Sequence, residues 1–433
     1  MLQGGVDPVQ WQWLAILISL AAGLCVILRS RRTTYGASTP ELSLLGLLLL
    51  WVLLQMVPLP PALVGFFSPH RWNSALAARI ATGGELAAWL PISVAPAATL
   101  EQILNVLPAM AAFVAAREMG RWWGGRRLWI VVVPVIGVAL LESLLGLTQF
   151  YAVHAASSEN QPVSGTYVNR NHFAGLLELA LPLVIMWAVS VWTRAKKHRR
   201  SQSAGAAAQA SALLIVAACI LVAVIGSLSR MGFIAALAAI ATSGLGWLLV
   251  HERAAHSKLP KWLWLFPALL PLAIFALIAP DAMVLRFADT PGLGEMSADG
   301  RVQIWKETMG LIGAYKWTGT GLGAYEYGLY PFRKFSSAVT IDFAHNDYLQ
   351  ILAELGIIGA LLVLSLAMVI LWRPLAIILE RDSRHWALAV GLVGSFAAIG
   401  LHSLVDFNLY IPANALALAW LAGIAASPGL RET

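Results

Sequence analysis

Eleven long apolar runs recur along the chain, and they constrain its fold more than any other feature of the sequence. Each run, as a helix, is long enough to cross about 30 Å of hydrocarbon. They lie near residues 11–28, 42–58, 98–116, 128–150, 172–192, 209–228, 232–250, 262–280, 348–372, 385–404 and 409–427. The sequence therefore predicts an all-α, polytopic membrane helix bundle of about eleven spans, or of twelve if the segment 60–92 adds one.

Composition excludes a soluble globular chain. Of the 433 residues, 59% are hydrophobic and 12% are charged, and the mean hydropathy is +0.74, whereas soluble domains carry about 25% charged residues. The net charge of +7 does not indicate a nucleic-acid partner, because basic residues in membrane proteins mainly set topology and meet anionic lipid. Cys25 and Cys219 lie inside apolar runs, as small packing residues do.

The distribution of basic residues predicts the orientation of the bundle. Nineteen of the 29 lysines and arginines follow spans one, three, five, seven, nine and eleven. The short connections on the other side hold only Arg71, Arg79, Arg170 and Arg230. The positive-inside rule then puts the N-terminus outside and the C-terminus in the cytoplasm. We expect a single integral-membrane domain over 1–433, with one long external loop, 281–345, between spans eight and nine.

Two stretches of this loop suggest structure. In "GRVQIWKETMGLIGAY" (300–315), Val302, Trp305, Met309 and Ile312 follow helical spacing, which predicts an amphipathic helix on the outer surface with these residues on one face. The second stretch, "TGTGLGAYEYG" (318–328), is glycine-rich and would let a backbone approach a ligand closely. No βαβ unit surrounds it, so it is not a dinucleotide-binding motif.

Polar side chains gather at the outer ends of several spans. They occur in "GTYVNRNHFAGLLELALPL" (165–183), "GSLSRMGF" (226–233), "FAHNDYLQILAELGIIG" (343–359) and "LHSLVDFNLYIP" (401–412). Ionisable groups in spans are costly and usually face the bundle interior or a cavity. Each also has a structural interpretation: Arg170 and Arg230 as interfacial anchors, and His402 with Asp406 as a buried hydrogen-bonded pair.

This set of side chains suits the transfer of a group from a lipid-linked diphosphate. Arginines without a matching carboxylate cluster favour a polyanion, because guanidinium forms forked hydrogen bonds to phosphate oxygens. No Asp-x-Asp pair of the kind that holds a metal against a nucleotide-sugar is present. His345 can accept a proton near neutral pH, and Asp347 or Asn346 could orient its ring. The composite is a glycosyl transfer in which His345 deprotonates an acceptor hydroxyl.

The motifs "GTYVNRNHFAG", "SLSRMGF", "GRVQIWKETMGLIGAYKWTGTGLGAY" and "AHNDYLQILAELGIIG", in this order around one long loop, resemble those of the O-antigen ligase and polymerase superfamily. The similarity covers roughly residues 130–410. It implies a bacterial inner-membrane glycosyltransferase related to the GT-C architecture. Such enzymes use an undecaprenyl-diphosphate-linked glycan at the periplasmic face, without a metal or other cofactor.

The resemblance also implies roles for particular residues. Arg170 and Arg230, with Arg301 as a third, correspond to the arginines that bind the diphosphate, and His345 corresponds to the essential loop histidine. The neighbouring polar residues of these motifs are candidate supporting residues: Asn171, His172, Glu178, Tyr325, Asn346 and Asp347.

Two questions stay open at the level of sequence. The acceptor could be lipid A–core, as for a ligase, or a second lipid-linked repeat unit, as for a polymerase; protein O-oligosaccharyltransferase is a more distant relative. A lipid-linked glycan flippase is the alternative of another class. That reading expects internal repeats and charges near the midplane, whereas here the polar groups crowd one face.

Overall fold

The computed structural model describes residues 39–84, 89–123, 127–156, 162–197, 203–254, 298–334, 340–380 and 384–431. Within these ranges the chain is helical. The helices are α1 (Pro40–Met56), α2 (Pro61–Phe67), α3 (Pro69–Thr82), α4 (Pro96–Trp122), α5 (Leu128–Ala156), α6 (Arg170–Lys197), α7 (Ser203–Gly226), α8 (Arg230–Ala254), α9 (Ala298–Ala314), α10 (Tyr325–Leu329), α11 (Asp347–Leu379), α12 (Trp386–His402) and α13 (Pro412–Ala426).

The predicted helical membrane bundle is confirmed at the level of class. Six helices, α4 to α8 and α11, are long and apolar enough to cross a membrane, and α1, α12 and α13 are shorter apolar helices. These nine coincide with nine predicted spans; the other two, 11–28 and 262–280, lie outside the described residues. In the segment 60–92, α2 and α3 have 7 and 14 residues, so the part of it that is described holds no twelfth span.

Helix α6 lies at the centre of the bundle. In its most apolar 18-residue window 78% of the residues are buried, against 22–44% in the other five long helices. Around it pack α5, α7, α8, α12 and α13. The first turn of α6 therefore stands among its neighbours at one end of the bundle, which we call the site end.

Basic residues mark the opposite end. Glu41, in the first turn of α1, pairs with Arg117 near the end of α4 at 3.2 Å and with Arg373 near the end of α11 at 3.6 Å. Arg431 pairs with Glu380 at 3.6 Å. The described residues thus agree with a topology in which the basic connections share one end.

The amphipathic helix of the 281–345 loop is present as α9, and the predicted face is buried only in part, since Ile312 packs against the buried cluster of α9, α10 and α11. Val302 and Met309 are 41% and 57% exposed, whereas Ile304, Thr308 and Leu311 are buried. The buried face packs on Tyr325 and Leu329 of α10 and on Ala353 of α11. Which face of a helix is buried depends on where its partners lie, and those partners are distant in sequence.

The glycine-rich segment packs against α11 at a break in that helix and supplies hydrogen bonds to its free carbonyls. It leaves no space for a ligand at its first glycine. Gly356 has φ 64°, which interrupts the helix. The carbonyls of Ala353 and Glu354 accept hydrogen bonds from the amides of Thr320 and Gly321 at 2.9 and 3.0 Å. Gln55 of α1 adds a side-chain hydrogen bond to the Glu354 carbonyl at 2.9 Å. The prediction that these glycines admit a ligand is therefore wrong for Gly319, which packs against α11.

Gly319→Ala should destabilise the fold strongly, whereas Gly313→Ala should not. An added Cβ at Gly319 would lie 2.2 Å from the Glu354 carbonyl oxygen, at φ +70°, while Gly313 has nothing within 4 Å. Gly313 lies in the last turn of α9, so alanine there is expected to stabilise by no more than about 0.5–1 kcal/mol, the gain in a helix interior. Thermal unfolding of the two purified variants in one detergent checks this, and equal melting temperatures would contradict the packing described.

Candidate functional site

His345 lies near the end of the non-helical segment 340–346, which leads into α11. The preceding residue is fixed from both sides: the Ala344 amide donates to Gln350 Oε1 at 2.6 Å, and Trp305 Nε1 donates to the Ala344 carbonyl at 3.0 Å. His345 itself has φ 49°, a left-handed conformation that is uncommon for a residue with a Cβ. Such backbone strain clusters at functional sites, where surrounding contacts maintain it.

Asn346 and Asp347 do not orient the His345 ring, contrary to the sequence interpretation. Asn346 caps α11: its Oδ1 accepts from the amides of Tyr348 and Leu349, and its Nδ2 donates to the Leu404 carbonyl at 2.8 Å. Asp347 is buried, and its Oδ2 accepts from the Ser403 hydroxyl at 2.7 Å and from the Leu409 amide at 3.3 Å. Both side chains tie the start of α11 to the turn after α12.

The His345 ring is surrounded instead by groups from three other elements. It contacts the Phe407 ring edge to face, with centroids 4.9 Å apart. Burial lowers the pKa of His345 to about 4; the charge of Asp406 opposes this shift, and Arg301 and His172 reinforce it. The imidazole is therefore neutral, and able to accept a proton, throughout the neutral pH range.

Asp406 begins a buried chain of charged and polar groups that runs into the bundle. Its Oδ1 lies 3.4 Å from His172 Nε2, and its Oδ2 lies 3.7 Å from His402 Nε2. His402 Nδ1 lies 3.0 Å from the Glu178 carboxylate. Burial alone would raise the pKa of Asp406, but His172 and His402 together hold it well below its usual range. An ionised carboxylate therefore faces His345.

Phe407 holds the rings of the site together. Phe343 stacks on it with centroids 4.2 Å apart, and the His172 ring meets it edge to face at 4.7 Å. The two histidines, from the start of α6 and the start of α11, thus share one aromatic partner from the 403–411 turn. Sequence inspection noted Asp406 and His402 as four residues apart, but nothing in it indicated that Phe407 joins the two histidines.

The first turn of α6 and the loop before it are anchored to α13 and α5. Asn414 accepts from the Tyr167 hydroxyl at 2.9 Å and donates to the His172 carbonyl at 2.8 Å. Glu142 of α5 accepts from both the amide and the hydroxyl of Thr166, at 2.9 and 2.7 Å. These bonds fix the loop before Arg170, so the half-buried Arg170 and Asn171 begin α6 at the site end.

The structure brings the three predicted arginines to the site end in different ways. Arg230 begins α8, two residues before Gly232, whose position packs against Ala174 of α6. Arg301 lies in the first turns of α9, close enough to influence His345. Its Nε atom is buried, and it has no hydrogen-bond partner within the described residues. Of the three arginines, Arg301 is the one whose charge acts on His345.

Two predicted supporting residues have structural roles. Glu178 is buried beneath the site and bonded to His402. The Tyr325 hydroxyl lies 2.6 Å from Thr308 Oγ1, and burial raises the pKa of the phenol. Tyr325 therefore belongs to the packing between α9 and α10.

His402→Ala should destabilise the protein more than any single change on the bundle surface. The variant leaves Glu178 and Asp406, both buried, without their shared imidazole. Removing one partner of a buried charged pair typically costs about 3–5 kcal/mol. The control is His70→Ala: His70 lies on α3, and its half-buried ring packs on Tyr315. Thermal unfolding of the two variants measures the difference in stability. Similar losses would contradict a charged buried chain.

Comparison with known proteins agrees with this picture over part of the chain. No curated protein matches the sequence. Residues 215–364 match the O-antigen ligase family, a region that runs from α7 through α9 and His345 into α11. The resemblance predicted from motif order is thereby confirmed, and the chain carries an O-antigen ligase family domain over residues 215–364.

Proposed function

We propose that the protein is a glycosyltransferase of the O-antigen ligase or Wzy-type polymerase kind. It moves a glycan from undecaprenyl diphosphate to an acceptor hydroxyl in the periplasm, without a metal, at the inner membrane. The observation that carries this proposal is the strained, neutral His345 next to Arg301, Asp406 and His172, in the region that matches the O-antigen ligase family.

The chemistry assigns one step to each group. His345 takes the proton from the acceptor hydroxyl while the acceptor oxygen bonds to the anomeric carbon. The bond from that carbon to the phosphate oxygen breaks, and its electron pair leaves with the lipid diphosphate. Arg301, with Arg170 and Arg230 at the same end, meets the charge of the departing diphosphate. Asp406 stabilises the imidazolium that forms. A single displacement inverts the anomeric configuration.

A groove beside the site supports a lipid-linked donor. Side chains of α1, α4 and α11 line an apolar cavity of about 230 Å³, which includes Leu45, Val52, Met110 and Val363. Leu409 and Tyr410, of the same 403–411 turn as Phe407, line it as well. Hydrophobic clefts with few polar groups are typical sites for apolar ligands. A carrier chain lying there would hold its diphosphate beside the 403–411 turn.

The acid limb of activity should lie well below the usual histidine pKa. With the pKa of His345 lowered to about 4, the base stays unprotonated as the pH falls through 6.5 and is lost only near pH 4. We expect kcat/KM, which reports the free enzyme, to stay level from about pH 7 to 5. An inflection near 6.5 would contradict the buried environment described for this ring.

The direct test uses full-length protein in nanodiscs with an undecaprenyl-diphosphate glycan, with and without EDTA. Lipid A–core and a second lipid-linked repeat serve as separate acceptors. EDTA-resistant transfer to either supports the proposal, and the productive acceptor distinguishes a ligase from a polymerase. A parallel reconstitution in sealed vesicles tests the alternative: donor movement across the bilayer without consumption of the donor would refute transfer and identify a flippase.

A further inference from the structure

The short helix α10 and the residue that follows it present two tyrosine rings away from the protein core. The buried side of α10 holds Tyr325, Gly328 and Leu329, and Gly328 packs tightly on Thr320. Tyr327, on the opposite side, and Tyr330, directly after the helix, are 59% and 76% exposed. The rings therefore stand on a fixed base and make little contribution to packing.

These rings line a surface pocket together with charged groups. Glu326, Tyr327, Tyr330, Arg333 and Ile341 surround a cavity of about 290 Å³. A carboxylate and a guanidinium in one pocket supply both hydrogen-bond acceptors and donors. The faces of the two rings carry the negative side of the aromatic quadrupole. A pyranose offers matching chemistry, with apolar, positively polarised C–H faces and hydroxyls around its rim.

A short stretch of chain joins the pocket to His345, the proposed base. Ile341 forms part of the pocket wall, and His345 follows four residues later in the chain, at most about 14 Å away along the backbone. A glycan with its reacting sugar at His345 would pass its further units over this surface. Nothing in the transfer chemistry itself uses Tyr327, Tyr330 or Glu326.

We propose that this pocket binds a saccharide unit of the glycan beyond the sugar that reacts, with Tyr327 and Tyr330 as a stacking platform and Glu326 and Arg333 as hydrogen-bonding partners. The inference rests on the proposed function and adds a specificity subsite to it. The unit belongs to the donor glycan or to a glycan acceptor, and the two share this chemistry.

The test measures binding of free glycan, so it does not depend on transfer. The probe is the oligosaccharide released by mild acid from the host's own lipid-linked glycan, and saturation-transfer NMR follows its binding to full-length protein in nanodiscs. We expect the double variant Tyr327→Ala/Tyr330→Ala to bind it at least about fivefold more weakly, since each lost ring removes a stacking contact. Tyr327→Phe/Tyr330→Phe keeps the rings and should bind within about twofold of wild type.

Tyr151→Ala is the matched control, because Tyr151 is 68% exposed on α5, away from this pocket. In transfer assays the double alanine variant should raise KM while kcat stays near wild type. Competition by the free oligosaccharide against donor or against acceptor identifies the source of the bound unit. Unchanged binding in the alanine variant overturns the subsite. Absence of transfer in wild type, with glycan binding lost in that variant, refutes the proposed function and leaves the subsite standing.

A second measurement decides whether the tyrosines face lipid instead. Tyr330→Cys, in a chain with Cys25→Ser and Cys219→Ser, is labelled with a nitroxide. Relaxation by a water-soluble nickel complex is expected, as for a label in an aqueous pocket. Relaxation by oxygen with protection from nickel would place the ring in the interfacial belt where tyrosine is enriched, and would overturn the proposal.

Discussion

Replacing His345 with asparagine should lower kcat/KM for glycan transfer by about 10²–10⁴-fold, the usual effect of removing a positioned general base. Asparagine is the informative substitution here because it accepts the left-handed backbone more readily than most residues, and His345 has φ 49°. The neighbouring contacts of Ala344 and Asn346 involve neither ring nitrogen of His345. The melting temperature of the variant should therefore stay close to that of wild type.

His70→Asn is the control, since His70 is a half-buried histidine on α3 whose ring packs on Tyr315 and Phe332. It should transfer glycan at nearly the wild-type rate. If His345→Asn is folded and also retains full activity, His345 is not the base. If His345→Asn fails to fold, asparagine does not tolerate the left-handed backbone at this position. His345→Gly, which adopts that conformation freely, then becomes the variant to assay.

Arg301→Gln should lower transfer by about 10²–10³-fold, the usual loss when one preorganised donor to a developing anion is removed. It should also move the acid limb of the pH profile. Arg301 is one of the groups that lower the pKa of His345, so its loss raises that pKa, and protonation begins at a higher pH. Asp406→Asn should shift the limb in the opposite direction, because the Asp406 charge raises the same pKa.

These opposite shifts separate an electrostatic role from a structural one. A variant that is merely misfolded loses activity at every pH without moving the inflection. Arg79→Ala, at an exposed arginine of α3, should change neither the rate nor the profile. Inorganic pyrophosphate should also inhibit wild type more strongly than Arg301→Gln. Equal inhibition of both would remove Arg301 from the diphosphate site.

Sequence reasoning succeeded where structure depends on neighbouring residues in the chain. Long apolar runs become helices because the helix satisfies its own backbone hydrogen bonds within the segment. The cap of α11 is equally local, since the Asn346 side chain accepts from the amides of Tyr348 and Leu349. The motif order around His345 was also sufficient to indicate the O-antigen ligase family.

Sequence reasoning failed where a side chain contacts a partner that is distant in sequence, across the bundle. The buried face of α9 is set by α10 and α11, and Gly319 is required by a carbonyl of α11. Asp347 was assigned to His345 because the two are near neighbours in sequence. Its carboxylate bonds instead to Ser403, 56 residues away.

The sequence by itself thus determined the class of protein and the nine apolar helices that fall within the described residues, and it nominated the histidine and arginines of the proposed chemistry. Only the tertiary structure decided what surrounds His345. Phe407 and Asp406 meet the His172 and His345 rings because the turn after α12 packs between the first turns of α6 and α11. The pKa of His345 follows from that packing, since burial and nearby charges depend on distances in space that no spacing along the chain specifies.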